Sequence, residues 1–384
     1  MRSLSSRAHA TDRRRAWWRI VLAGTAAVSC GRADAQTFNG LGTLSGGTIS
    51  YGRTAVAGGT VFAGFSNSGS TYDRAVRWTS GGAQNLGTLG GSESQAWGAS
   101  LDGSALAGWA FDPSDRRRAF RWTSAGGMVN LGTLTGDAES VGLNVSGDGT
   151  VVVGYSSGSA SRAIRWTSAG GMVALGFLPG GTSSSAWSTS MDGSVIAGSA
   201  DSGGNSRAFR WTSGTGMMNL GTLPGGTSSA GAGVSQNGQV IVGNSTSSNG
   251  FRAFRWTSAG GMQDLGTLPG GLTSSAWAAS ADGSVVVGSW GDANDSYAAF
   301  WTAETGMVDL RTFLIGRGAN MNGWTIFEGR GVSADGRTII GNGFHNGHEE
   351  TWVATIPGPG TGAAAVAMIG IGAWGVRKRR NSLP

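Results

Sequence analysis

Apolar positions in this chain fall in short alternating runs separated by glycine-rich breaks, a two-residue period that predicts β-strands. Residues 175–219 contain one full cycle. Pro179, Gly180 and Gly181 force a turn, Ala186–Ser190 is a short strand, and Asp192-Gly193 marks a hairpin expected to turn as type I′. Val195–Gly198 returns, the polar stretch Asp201–Ser206 is a loop, Arg207–Thr212 is the third strand and Met217–Leu220 the fourth. Alternation places Arg207, Phe209 and Trp211 on one face of the third strand. No helical period interrupts the repeated pattern.

The cycle repeats. Trp78, Trp122, Trp166, Trp211, Trp256, Trp301 and Trp352 occupy the same place in successive units, at intervals of 44, 44, 45, 45, 45 and 51 residues. Units begin at Leu41, Leu86, Leu131, Leu175, Leu220, Leu265 and Leu310. This repetition predicts an all-β fold over residues 36–356, a seven-bladed β-propeller of four-stranded antiparallel blades. The seventh unit ends after Trp352 without a fourth strand, while Thr37–Gly42 matches the placement of Met217–Gly221. The N-terminal strand is therefore expected to complete the last blade and remove an open sheet edge. One Trp per unit reads as inter-blade core. Arg77, Arg121, Arg165, Arg210 and Arg255 then fall on the opposite strand face, in partial contact with solvent.

Both ends read as cellular addresses. Residues 1–35 carry Arg13, Arg14, Arg15 and Arg19, an apolar run from Ile20 to Val28 and the cleavage pattern Ala33-Asp34-Ala35, which together predict a secretory signal peptide. Residues 357–384 open with Pro357-Gly358-Pro359, continue through an apolar helix over 361–376 and close on the basic cluster 377–380. This end resembles a PEP-CTERM sorting tail, with Gly358 where that family has a glutamate. The resemblance implies membrane insertion through the C-terminal helix and processing by an exosortase-type enzyme. A plain C-terminal membrane anchor is the alternative. Either places the body outside the cytoplasm, in the periplasm, at the outer surface or beyond.

The net charge of +6 changes meaning once the ends are separated. Residues 1–35 hold seven Arg and two Asp (+5), the tail holds Arg377, Lys378, Arg379 and Arg380 (+4), and the remainder carries 6 − 5 − 4 = −3. A nucleic-acid partner is not expected of such a body. The only cysteine, Cys30, lies in the signal peptide, so stability must come from packing rather than disulfides.

The repeat unit resembles the HAF repeat of bacterial extracellular proteins. Arg207-Ala208-Phe209-Arg210-Trp211 stands at the family's His-Ala-Phe strand, and Leu-Gly-Thr-Leu-Pro-Gly-Gly, Ser-x-Ala, Asp/Asn-Gly and Val-Val-Gly follow its pattern, as in Gly261–Gly271 and Asp282–Gly288. Arg replaces the naming His in five units, and His348 occupies that column in the seventh. The resemblance implies an exported propeller and brings no chemistry with it.

Candidate chemistry lies where the units differ. Five residues before each Asp-Gly position runs the column Arg53, Trp97, Leu143, Trp187, Ala232, Trp277, Arg330, whose alternating sizes suggest fitting near the ring axis. Closure would make Arg53 and Arg330 neighbours, able to bind an anion or carboxylate; solvated arginines at a channel mouth are the alternative. The seventh unit carries an insertion, Ile315–Glu328, with Trp324 and Phe327, followed by His345, His348, Glu349 and Glu350. Those four suggest a divalent metal, but a third convincing ligand is missing and a solvated loop is expected. The column Asp102, Asp148, Asp192, Asn237, Asp282 and Asp335 could be read as calcium ligands, but a turn role accounts for it. The stretches Phe65–Asp73, Trp109–Arg117, Tyr155–Ser161 and Trp290–Ser296 read as variable loops on one face, where binding tends to reside.

The sequence thus predicts a binding or matrix propeller without catalysis, cofactor or metal. It would recognise extracellular polysaccharide or an envelope protein through Arg53, Arg330, Trp109, Trp290, Trp324, His345 and His348. The alternative is a polysaccharide lyase or hydrolase centred on Arg53, Arg330, His345 and His348.

Overall fold

The computed structural model describes residues 37–69 and 72–356. The expected signal peptide, residues 1–35, and sorting tail, residues 357–384, lie outside them. The strands form seven four-stranded antiparallel sheets, six of them consecutive in sequence. The seventh combines Trp324–Val332, Thr338–His345 and His348–Thr355 with the N-terminal strand Phe38–Gly40. Phe38 pairs with Ala354 and Gly40 with Trp352, so the ring closes as the sequence predicts. Among the described residues no helix is long and apolar enough to cross a membrane.

The repeated residues hold neighbouring blades together. A hydrophobic cluster lies at each of the seven junctions and takes side chains from both blades. Trp78, Trp122, Trp256, Trp301 and Trp352 are buried in these clusters, and Trp166 and Trp211 pack against theirs half-buried. The serine of Ser-x-Ala bridges blades as well. Ser229 Oγ accepts from the Ala208 amide of the preceding blade at 2.9 Å, and Ser94, Ser140, Ser184 and Ser274 do the same. The strand arginines reach further than partial solvation suggests. The Nε groups of Arg77, Arg121, Arg165 and Arg255 donate to Gly103, Gly149, Gly193 and Gly283 carbonyls in the following blade's hairpin.

Three local expectations are corrected. A helix, Leu310–Ile315, opens the seventh unit, capped by Asp309, whose Oδ1 accepts from the Thr312 amide at 2.7 Å. Six residues are too few to register as a helical period. Trp324 and Phe327 of the insertion lie on the inner strand of blade seven. The Asp-Gly hairpins are not type I′: in the fourth blade the Gly193 amide bonds the Ser190 carbonyl, and only Gly193 has positive φ (70°). The two central residues of a type I′ turn both need positive φ, a condition met instead at Asn346-Gly347 (51° and 86°). That tight turn replaces the solvated loop expected around His345–Glu350.

Candidate functional site

Each inner strand contains a β-bulge at one shared position, and that of the seventh blade has a second at Phe327. Pairing between first and second strands slips at Arg53, Trp97, Leu143, Trp187, Ala232, Trp277 and Arg330. These are the seven members of the variable column. A bulge leaves one residue unpaired and re-aims its side chain, and here all seven line one axial channel. The partner strand carries a glycine opposite: Gly64, Gly108, Gly154, Gly198, Gly243, Gly288 or Gly341. A Cβ there would lie within about 2.0 Å of the carbonyl oxygen two residues before the bulge. The glycine of Val-Val-Gly is therefore required by the bulge beside it. It is also the sequence signal from which the bulges could have been read.

The channel mouth is charged on one side. Arg53 lies over the Trp97 ring at 4.0 Å and over Phe65 at 5.4 Å; Arg330 lies over Trp277 at 4.1 Å. Arg330 also pairs with Glu328 at 2.7 Å, and Glu328 accepts from Asn342 Nδ2 at 2.8 Å. Asn342 is buried and bonds both the amide and the carbonyl of Gly52, which fixes the strand that carries Arg53. The Nε atoms of Arg53 and Arg330 are buried without acceptors. Burial, and then the like charge of Arg330, lowers the Arg53 guanidinium to about 10, so it stays charged at neutral pH. Burial, followed by a hydrogen bond to Glu349, raises the Tyr51 hydroxyl.

Beside the mouth lies a cleft of about 410 Å³ between Trp97, Trp109, Phe111, Tyr155, Trp187 and Arg117, with Glu93 and Gln95 at its edge. That volume falls within the range of small-ligand pockets. Trp97, Leu143 and Trp187 line both channel and cleft. Trp187 is 38% exposed, with its Nε1 held by Ser199 Oγ at 3.2 Å. Gln95 fixes Trp97 by accepting from Nε1 at 3.2 Å and donates to Asp73 at 2.8 Å. Burial raises the carboxyls of Asp73 and Glu93, the latter further through Asp73.

The sequence-predicted residues separate. Arg53 and Arg330 line the channel. Trp109 belongs to the cleft wall but sits on a strand, buried against Phe111, Val141 and Leu143. Trp290 also ends a strand; it stacks on Tyr297 at 4.8 Å and donates to Asp309 Oδ2 at 3.0 Å. Trp324 is buried between Phe38 and His345, whose ring stacks on it at 4.4 Å. His345 Nδ1 is occupied by Glu350 at 2.8 Å, while His348 is exposed across the turn. These four lie at strand ends of blades six and seven and line neither cavity. Among the described residues no group of three His, Cys, Asp or Glu is placed to hold a metal ion. The expected variable loops are shorter than the sequence suggests: strands run to Asn67 and resume at Asp73 in the first, and the other three shorten to Asp112–Arg116, Gly158–Ala160 and Asp292–Asp295. Sequence reasoning missed Trp97, Trp187 and Tyr155 as a continuous aromatic wall. Two of them were visible in the variable column.

No protein-family model and no curated protein matches the chain. Among solved structures it is similar to an oligogalacturonate lyase in complex with manganese, with TM-score 0.57 and 16% identity over 83% of this chain and 93% of that one. It is also similar to an oligogalacturonate lyase from Vibrio parahaemolyticus, with TM-score 0.54 and 10% identity over the same shares. TolB from Acinetobacter baumannii aligns with TM-score 0.45 and 15% identity over 68% of this chain, which spans 62% of that chain. The likeness is one of fold. It agrees with the seven-bladed β-propeller seen directly in the sheets.

Proposed function

We propose that the protein is an exported, envelope-associated binding propeller that recognises extracellular polysaccharide at its channel mouth. The supporting observation is the aromatic cleft of Trp97, Trp109, Tyr155 and Trp187, which opens onto the channel. Aromatic walls with a few polar groups at their edge suit sugar rings, which present apolar C–H faces and polar rims. In each blade the second-to-third and fourth-to-first connections share one face, so the cleft, the mouth and the turns of blades six and seven are accessible from one side. Export and envelope attachment rest on the signal-like and PEP-CTERM-like ends; an exosortase-type enzyme would process the latter.

The test is glycan-array binding and titration calorimetry on the purified full chain. Trp187→Ala is expected to weaken binding roughly tenfold or more, as loss of a central aromatic contact does, while the melting temperature stays unchanged because the side chain is exposed. Full binding by Trp187→Ala would remove the cleft from the proposal. Bond cleavage in the same polysaccharide panel would replace the binding reading with the enzymic one, and capture of an envelope protein without any glycan would replace polysaccharide as the partner.

A further inference from the structure

We propose that Arg53 and Arg330 form a carboxylate receptor at the channel mouth, so that the polysaccharide read by the adjoining cleft is an acidic one built from uronate units. This inference rests on the preceding reading and narrows its ligand class.

The receptor is built from opposed features of two blades. Arg53 and Arg330 come from the first and seventh blades, on either side of the closing seam. Each is the bulge residue of its inner strand and so is turned to the axis. Each guanidinium lies over an indole, Trp97 or Trp277, which sets the plane of the fork and leaves its edge to meet a ligand. Each has a buried Nε with no acceptor. Two cations held near one another with unmet donors are costly unless a counter-charge completes them. Glu328 does not do so for Arg53: its Oε2 is taken by Arg330 and its Oε1 by Asn342.

The surroundings select the anion. Arg330 is paired with Glu328, which leaves Arg53 as the one of the two cations without an ion pair, and Asp73 and Glu349 form an acidic fringe, held on Gln95 and Tyr51 respectively. A monoanion fits this balance, whereas a phosphate dianion would meet the acidic fringe. A carboxylate is planar and matches the fork of a guanidinium. Trp97 carries Arg53 and also walls the cleft it shares with Trp187. A carboxylate seated on Arg53 therefore has its attached ring beside the aromatic wall, which describes a sugar acid.

The experiment compares β-1,4-linked tetraglucuronate with cellotetraose, the same chain without carboxylates, by calorimetry on the full chain. Tetraglucuronate is expected to bind at least tenfold more tightly, and inorganic phosphate in excess should not displace it. Arg53→Gln should lose roughly 10- to 100-fold in affinity for tetraglucuronate, the range of a charged hydrogen-bonded contact, and none for cellotetraose. Arg53→Lys, which keeps the charge without the planar fork, should fall between. Arg53→Gln removes a half-buried cation that has no ion pair and is expected to fold about as stably as wild type, so a binding loss reports the site. Equal binding of the two tetrasaccharides, or displacement by phosphate, overturns the carboxylate receptor and leaves the polysaccharide reading standing. Binding of free glucuronate that depends on Arg53 but is indifferent to Trp187→Ala supports the receptor and overturns the polysaccharide reading.

Discussion

Asp192 gathers three donors onto one oxygen. Its Oδ1 accepts from the Ser194 amide at 3.0 Å, from Ser194 Oγ at 2.7 Å and from Ser190 Oγ at 2.8 Å. Those bonds, led by the Ser194 amide, hold its carboxyl at about 2, below the ordinary value of 3.8. A depressed folded pKa contributes stability that is full above about pH 4 and is lost as pH falls through about 2. The group is largely exposed, so its share is discounted to roughly 1 kcal/mol or less. Denaturant midpoints measured from pH 7 to pH 2 are expected to fall less steeply in Asp192→Asn than in wild type. Asn237 supplies the precedent: its Oδ1 accepts from Ser235 Oγ at 2.7 Å and from the Gln239 amide at 3.0 Å. The sequence placed a turn here correctly and mistook its type. Asp-Gly is the signature of a type I′ turn, but the buried Ser190 opens a wider hairpin in which glycine follows the turn instead of forming its centre. The calcium reading loses its motive, because the carboxylate is already satisfied within its own hairpin.

The bulged inner strand is where sequence and structure diverge most instructively. Its column of Arg53, Trp97, Leu143, Trp187, Ala232, Trp277 and Arg330 was legible as a departure from the repeat and as axial. What was not legible is that each member is the extra residue of a bulge, because strict alternation carries no mark of a slip in pairing. The glycine opposite carried that mark in every unit. Gly198→Ala would set a Cβ about 2.0 Å from the Ser185 carbonyl and 2.9 Å from the Phe209 ring. Overpacking of this kind costs about 1–3 kcal/mol, and the bulge that presents Trp187 should be displaced with it. Chemical denaturation is expected to report the loss, and glycan titration a weaker affinity than stability alone accounts for; an unchanged midpoint would contradict the close approach. At strand ends the error was one of length. Trp109 and Trp290 were assigned to loops because the polar stretches Asp112–Arg116 and Asp292–Asp295 come soon after them, yet pairing with the third strand extends past both. Packing and the bond to Asp309 then make them structural, and alanine at either position should lower stability before it alters recognition.

At the scale of the molecule the ring depends on three residues paired across its seam. The period of 44 to 45 residues made the blade count legible, and the complementary fragments at either end made closure legible, since an incomplete sheet would expose an unpaired edge. The site was only half legible, because a site at the axis is assembled from seven blades at once, and which side chains meet across the seam depends on closure. Phe38 shows how much rests there. It meets Trp324 edge-on at 5.2 Å and stacks on Trp352 at 6.0 Å, and the Thr37 amide and carbonyl both bond Thr355. Glu350 strengthens the join, accepting from the Gly42 amide at 3.2 Å while its other oxygen holds His345. Deleting residues 37–40 from the chain removes the fourth strand of the seventh blade and uncovers Trp324 and Trp352, against which Phe38 packs. Phe38→Ala removes only the ring and, by the usual cost of truncating a packed aromatic, should lower stability by about 3 kcal/mol or somewhat less, because Phe38 is half-buried. The deletion should do more than add to that figure. Blade seven then loses the strand that ties its sheet through the chain to blade one, so unfolding is expected to broaden and the protein to associate through the exposed edge, visible as a concentration-dependent increase in mass by light scattering. If the deleted protein instead melts in a single sharp transition and stays monomeric, the ring is held by the seven inter-blade clusters alone and the N-terminal strand is an accessory to it.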